Sequence, residues 1–162
     1  MNKIRSLKGR GVFIAAPFLL LVIVLLTSAG TAEKEVVVIQ NQRTGEVYGE
    51  EEAVAGMKLT VSWIHSVEKT KWQDTILVND EGELILAETR FQSYGAGVDH
   101  ESKEDVVLED GNIVYKNLNK KLACYQWIHS HEAEHTVTIN DNRQLSKEIP
   151  HHEAVEICVE SR

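Results

Sequence analysis

No acidic residue precedes Glu33, and no charge of either sign lies between Arg10 and Glu33. What charge this first part has is basic: Lys3, Arg5, Lys8 and Arg10. A basic start followed by 22 uncharged, mostly apolar residues is the pattern of an export signal. A helix of that length crosses ~30 Å of hydrocarbon, and its positive flank stays on the cytoplasmic side. Residues 1–32 therefore read as a signal peptide or an uncleaved membrane anchor through residues 11–29, with the uncleaved single-pass anchor favoured. Thr27-Ser28-Ala29 and Gly30-Thr31-Ala32 are the small-residue sites at which cleavage releases a secreted form. Only two prolines occur; Pro17 falls inside the run, where membrane helices tolerate it.

Further absences exclude functions. Beyond the leader, basic residues are outnumbered: all 25 acidic residues stand there against 13 basic ones, a net charge of −12. Phosphate backbones would be repelled, so nucleic acid is not a partner. Anionic lipid surfaces are disfavoured for the same reason, and solubility is the simplest use of the charge. There are two cysteines, Cys124 and Cys158, and no C-x-x-C, which removes redox and zinc-knuckle motifs. In an exported domain this even count permits one disulfide. A bridge between neighbouring strands and a pair of buried thiols are equally open readings. No serine sits on a G-x-S-x-G elbow. Ser66 follows His65 in an extended segment, so the two side chains diverge and make no nucleophile–base couple. The chain reads as a non-enzyme with no resident cofactor.

Residues 33–162, long enough for an ordinary core, also lack any convincing amphipathic helix; "GEEEAVAG" is too short. Apolar residues recur instead with period two, in "EVVVIQ", "MKLTVSWIHS", "DTILV", "ELILAETRF", "DVVLE", "NIVYK", "LACYQWIHS", "HTVTI" and "AVEICVE". "NDEG" and Asp110-Gly111 separate them as hairpin turns do. Eight or nine short strands without helical crossovers predict an all-β, antiparallel β-sandwich, immunoglobulin-like or jelly-roll-like, after the N-terminal membrane helix. Residues 33–162 form this extracytoplasmic β-domain.

One stretch occurs twice. "WIHSVE" at 63–68 returns as "WIHSHE" at 127–132. With three residues skipped, the match runs on through Thr75 with Thr136, Asn79-Asp80 with Asn140-Asp141, and Leu84 with Leu145. A strand, a connection, a second strand and an Asn-Asp turn are repeated. The unit reads as a duplicated β-hairpin, one copy in each half of the sandwich.

Strand parity aligns Leu59, Val61, Trp63 and His65 on one face, and Tyr125, Trp127, His129 and His131 on another. A histidine on an apolar face is most simply a satisfied core residue, bonded to backbone or to a carboxylate such as Glu68 or Glu132. The competing reading is a divalent transition metal held by His129, His131 and His135, because an H-x-H pair on a strand is a workable ligand geometry. His151 and His152, adjacent after Pro150, should face opposite ways in a loop. Gly95 and Gly97 flank Ala96, where a tight turn or a nest of amides for an anion would need them.

Two of these segments carry a resemblance. "WIHSVEKTKW" followed by "TRFQSYGAG" resembles the bacterial family catalogued as domain of unknown function 1850. His65, Ser66, Val67 and Glu68 match its first segment, and Phe91, Ser93, Gly95, Ala96 and Gly97 match its Phe-x-Ser-x-Gly-Ala-Gly segment. Members often close the second segment with proline, where this chain has Val98-Asp99. The resemblance implies a setting beside tripartite ATP-independent periplasmic transporters and no enzymatic activity. The expected function is that of a membrane-anchored or exported accessory protein of a solute uptake system. Its partners would be the solute receptor and the permease. Contact would run through His65, Ser66, Glu68, Gly95, Ala96 and Gly97. The rival expectations are the metal-binding β-domain and a structural envelope domain without ligand.

Overall fold

The structure is a computed structural model; it describes residues 34–92 and 105–162, which belong to one compact unit, Glu33–Arg162. The expected leader and the Gly95–Gly97 segment lie outside the described residues. No helix of the described residues is long and apolar enough to cross a membrane.

The described residues form strands and no helix. In chain order these are β1 (Glu35–Asn41), β2 (Val47–Glu52), β3 (Lys58–Ile64), β4 (Lys71–Val78), β5 (Leu84–Phe91) and β6 (Asp105–Glu109). They continue as β7 (Asn112–Lys116), β8 (Lys120–Leu122), β9 (Cys124–Ile128), β10 (Thr136–Ile139), β11 (Arg143–Leu145) and β12 (Ala154–Ser161). The chain is a β-sandwich of antiparallel sheets. One has the order β2-β1-β12-β9; the other runs β11-β10-β3-β4-β5-β7-β6, with β8 paired to β5. More strands form than the eight or nine expected: β2 and β11 add to them, and "KKLACYQWI" is not one strand. The chain bends at Ala123, so that β8 ends in the larger sheet and β9 begins in the smaller.

Period-two alternation fixes what faces what. Val37 and Ile39 of β1 and Val155 and Ile157 of β12 pack against Leu59, Val61, Ile76, Val78, Leu84, Val137 and Ile139 of the larger sheet. A second cluster, Trp72, Phe91 and Tyr115, continues the interior towards one end, with Trp63 touching both clusters. The turns follow their residue chemistry. Asp110 and Gly111 close β6–β7 with φ of 48° and 76°, and Asn140 and Asp141 close β10–β11 with φ of 47° and 59°. Both are left-handed pairs of the kind whose twist matches a two-residue hairpin.

The repeated sequence does not give a repeated hairpin. β3 and β4 pair directly, Trp63 opposite Trp72. β9 and β10, their counterparts, lie in different sheets: β9 pairs with β12, and β10 pairs with β3, Val137 opposite Val61. β12 takes β9 by register and by a covalent bond, since Cys124 and Cys158 face each other across the two strands. They form a disulfide with a Cα–Cα distance of 4.6 Å, the spacing of a non-hydrogen-bonded antiparallel pair. Of the two readings for these cysteines, the bridge holds.

Candidate functional site

The turn between β3 and β4 carries the first family-like segment. β3 ends at Ile64, so strand parity does not extend to His65. The His65 N–H donates to the Thr70 carbonyl, and the Lys69 N–H donates back to the His65 carbonyl. Lys69 sits at φ 54°, the left-handed conformation that reverses the chain without glycine. The ring of His65 is half-buried and stacks on Trp72, centroids 4.7 Å apart and planes 20° apart. Its Nδ1 accepts from the backbone N–H of Glu68 at 3.3 Å. Glu68 thus orients the imidazole through its main chain. Ser66 and Val67 are exposed at the tip of the turn.

Trp72 joins this turn to the second family-like segment. Its indole stacks on Phe91, centroids 4.8 Å apart, and Phe91 stacks on Tyr115 at 5.5 Å. His65 and Phe91 are therefore held by one ring, although 26 positions separate them. The structure brings the start of the second segment to the His65 turn. Gly95, Ala96 and Gly97 themselves lie outside the described residues. Two polar atoms at this rim are buried without a hydrogen-bond partner among the described residues, Trp72 Nε1 and Thr70 Oγ1. Such orphans cost free energy and are rare in folded proteins. The sequence reading missed both residues, and the signal was there. Trp72 shares inward parity with Asp74, Ile76 and Val78.

The second "WIHS" copy builds a different environment. His129 is fully buried. Its Nε2–H donates to the Ser146 carbonyl at 2.9 Å, leaving Nδ1 to accept from Trp127 Nε1–H at 3.4 Å. Burial, together with neighbouring imidazoles, pushes its pKa down to about 4, against the Ser146 carbonyl, which raises it. With both ring nitrogens engaged, it is a satisfied core residue. His131 is exposed rather than half-buried, because β9 stops at Ile128 and the chain turns; its Nε2–H donates to the Ile149 carbonyl. His135 donates from Nδ1 to the Ser130 carbonyl, and burial lowers its pKa. His151 and His152 do not diverge: they lie in a turn and their rings stack at 3.7 Å.

All six described histidines belong to one line of rings. His65 meets Trp72, Trp72 meets Trp63 at 6.0 Å, and Trp63 lies parallel to His135 at 5.9 Å. His135 meets His129 at 5.7 Å, and His129 meets His131, which meets His151, each at 5.3 Å. Among the described residues, the close cluster of three metal-type ligand atoms is Cys124, Glu156 and Cys158, not the imidazoles, and its two sulfurs are bonded to each other. Elsewhere the two sheets are tied by a buried polar strut. Tyr125 Oη–H and Thr89 Oγ1–H each donate to Asp74 at 2.7 Å.

The family model of a domain of unknown function, DUF1850, matches residues 59–145, more than half of the chain. The chain belongs to this family. The DUF1850 match begins in β3 and ends in β11, so it takes in the His65 turn, Trp72, Phe91 and the second "WIHS" copy. No curated protein and no solved structure matches the chain.

Proposed function

We propose that this DUF1850 protein is an extracytoplasmic accessory module of a solute uptake system, membrane-anchored or exported through residues 1–32, that acts by contact with the solute receptor and permease. The observation that carries the reading is the convergence at Trp72. Two segments distant in sequence meet on one indole, beside two buried polar atoms without hydrogen-bond partners among the described residues. Buried polar atoms are otherwise satisfied in folded proteins, so the pair marks this end of the sandwich as one not shaped by folding alone. Placement outside the cytoplasm is supported by the basic–apolar leader and by the Cys124–Cys158 bridge, since such bonds persist in oxidising compartments. The uptake setting itself rests on the family resemblance.

The test is to purify the full chain with its cognate receptor and permease and crosslink them. Association that is lost in a His65→Ala, Glu68→Ala variant supports the reading. A wild-type chain that captures neither protein overturns it in favour of a structural envelope domain.

One observation favours a second reading, a divalent transition-metal site. His131 Nδ1, His135 Nε2 and His151 Nε2 make no hydrogen bond among the described residues; the His131 and His151 rings lie 5.3 Å apart, while His135 stands against His129, so an ion would have to draw the three together. His151 would then take the place of His129. Elemental analysis of protein purified without a histidine tag decides it, metal-free protein indifferent to added zinc or copper ending the reading.

A further inference from the structure

The outer face of the larger sheet carries a cleft of about 250 Å³ lined by Lys71, Gln73, Arg90, Gln92 and Asn112. Register puts these side chains together. Gln73 stands opposite Arg90, and Phe91 opposite Ile113, which brings Gln92 beside Asn112. Lys71 and Gln73, and likewise Arg90 and Gln92, are two apart and share the face that Trp72 and Phe91 do not use. Every lining residue is a cation or an amide, and none is a carboxylate, in a part of the chain with a net charge of −12.

We propose that this cleft binds a small hydroxylated organic monoanion through its carboxylate. The charges around it set the valence. Arg90 donates from Nε and Nη2 to Glu88 Oε1 at 3.2 and 3.1 Å and reaches Glu109 at 3.5 Å. Glu109 also pairs with Lys116. Of the two cations that line the cleft, Arg90 is already paired with Glu88 and Glu109, so one positive charge is left to a ligand. Lys71 supplies it, having no ion-pair partner among the described residues. Arg90 keeps Nη1 without a partner there as well. One carboxylate accepts charge-assisted bonds from both. A phosphate dianion brings one negative charge too many, and a neutral sugar leaves Lys71 uncompensated.

The amides fix the rest of the ligand. Gln73 and Gln92 make no side-chain hydrogen bond among the described residues, and Asn112 uses only Nδ2, towards the Asp110 carbonyl. Each offers a donor or an acceptor to hydroxyl groups. The volume falls just below the ~300–1,000 Å³ of pockets that take drug-sized ligands, which suits a small metabolite. This site stands independently of the uptake reading, although Lys71 and Gln92 are chain neighbours of Trp72 and Phe91.

The test titrates the purified full chain with gluconate by calorimetry, with glucose and inorganic phosphate as comparison probes. Saturable gluconate binding is expected, weakened at least about tenfold by Lys71→Gln and weakened by added salt. Glucose should show none at the same concentration. Lys71 is exposed, so this variant keeps its fold, which circular dichroism verifies. Gluconate binding unchanged by Lys71→Gln, or no saturation by the solubility limit, overturns the site. Phosphate binding more tightly than gluconate overturns the monocarboxylate assignment.

Discussion

The hydroxyl of Tyr125 donates to Asp74 Oδ2 at 2.7 Å, and the bond runs from one sheet of the sandwich to the other. Thr89 donates to the second carboxylate oxygen, so each has one donor in a site that excludes most water. Burial raises the Asp74 pKa, while the Thr89 and Tyr125 bonds lower it and offset part of the effect. A carboxyl with a raised folded pKa holds its proton more tightly folded than unfolded. Its contribution is therefore most favourable below the unfolded value and declines as pH rises through the folded one. Tyr125→Phe should cost about 1–3 kcal/mol at neutral pH, because it leaves a buried carboxylate short of a donor. Asp74→Asn should cost less than Tyr125→Phe, since the amide is neutral and bonds both hydroxyls. Urea unfolding at pH 7 checks the order, and the reverse order would contradict the strut.

His129 makes the opposite pH prediction. Its folded pKa of about 4 lies below the ordinary 6.5, chiefly because burial disfavours the imidazolium. The unfolded chain therefore binds the extra proton first, and stability falls as pH drops from about 6.5 towards 4. A shift of that size is worth roughly 3 kcal/mol when fully expressed. Protonation at Nδ1 also removes the acceptor for Trp127 Nε1–H. Proton NMR of the six described imidazoles should find His129 still neutral at pH 5. Titration of that ring near 6.5 would show that it is not buried as described.

The Cys124–Cys158 bond closes a segment of sequence separation 34. By the chain-entropy relation, removing it costs about 4 kcal/mol, an upper figure because the reduced chain keeps some structure. The segment it closes contains β10 and β11, which belong to the larger sheet, so the bridge also fixes where the chain, having crossed from β8 of that sheet, lies as β9 in the smaller one. A Cys124→Ala, Cys158→Ala variant should unfold at markedly lower denaturant, and reductant should shift the wild type to the same midpoint. Coincident midpoints for wild type, reduced protein and variant would refute a stabilising role.

Much of this fold was legible in the sequence because a half-buried strand writes its two faces as alternation. Leu59, Val61, Ile76 and Val78 are fully or almost fully buried, as their parity requires, and Asp110-Gly111 closes the hairpin its chemistry specifies. Parity failed where strands end. His65, His131, His151 and His152 all lie in turns, and alternation carries no information there. The second "WIHS" copy misled for a different reason. Local sequence specifies a strand but not its partner. β9 is claimed by β12, 34 residues away at the disulfide, rather than by β10, which follows it. The meeting of His65 with Phe91 was not legible in the sequence. That Trp72 mediates it depends on the β3–β4 and β4–β5 registers, which no short window contains.

Trp72 is where folding and function can be separated. It is 8 % exposed, and its rings touch His65, Trp63 and Phe91, so Trp72→Ala should cost about 3–5 kcal/mol as a large-to-small change in the core. Trp72→Phe keeps an aromatic ring against those neighbours and removes Nε1–H, a buried donor with no partner among the described residues. Losing an unsatisfied donor relieves a penalty of about 1–3 kcal/mol, which offsets part of the lost volume. The variant should therefore remain folded, within about 1.5 kcal/mol of wild type by urea titration. Crosslinking to the receptor and permease should nonetheless fall, because the smaller ring no longer holds the His65 turn and Phe91 in the same place. A Trp72→Phe chain that crosslinks as well as wild type would show that the indole's hold on the His65 turn plays no part in that contact.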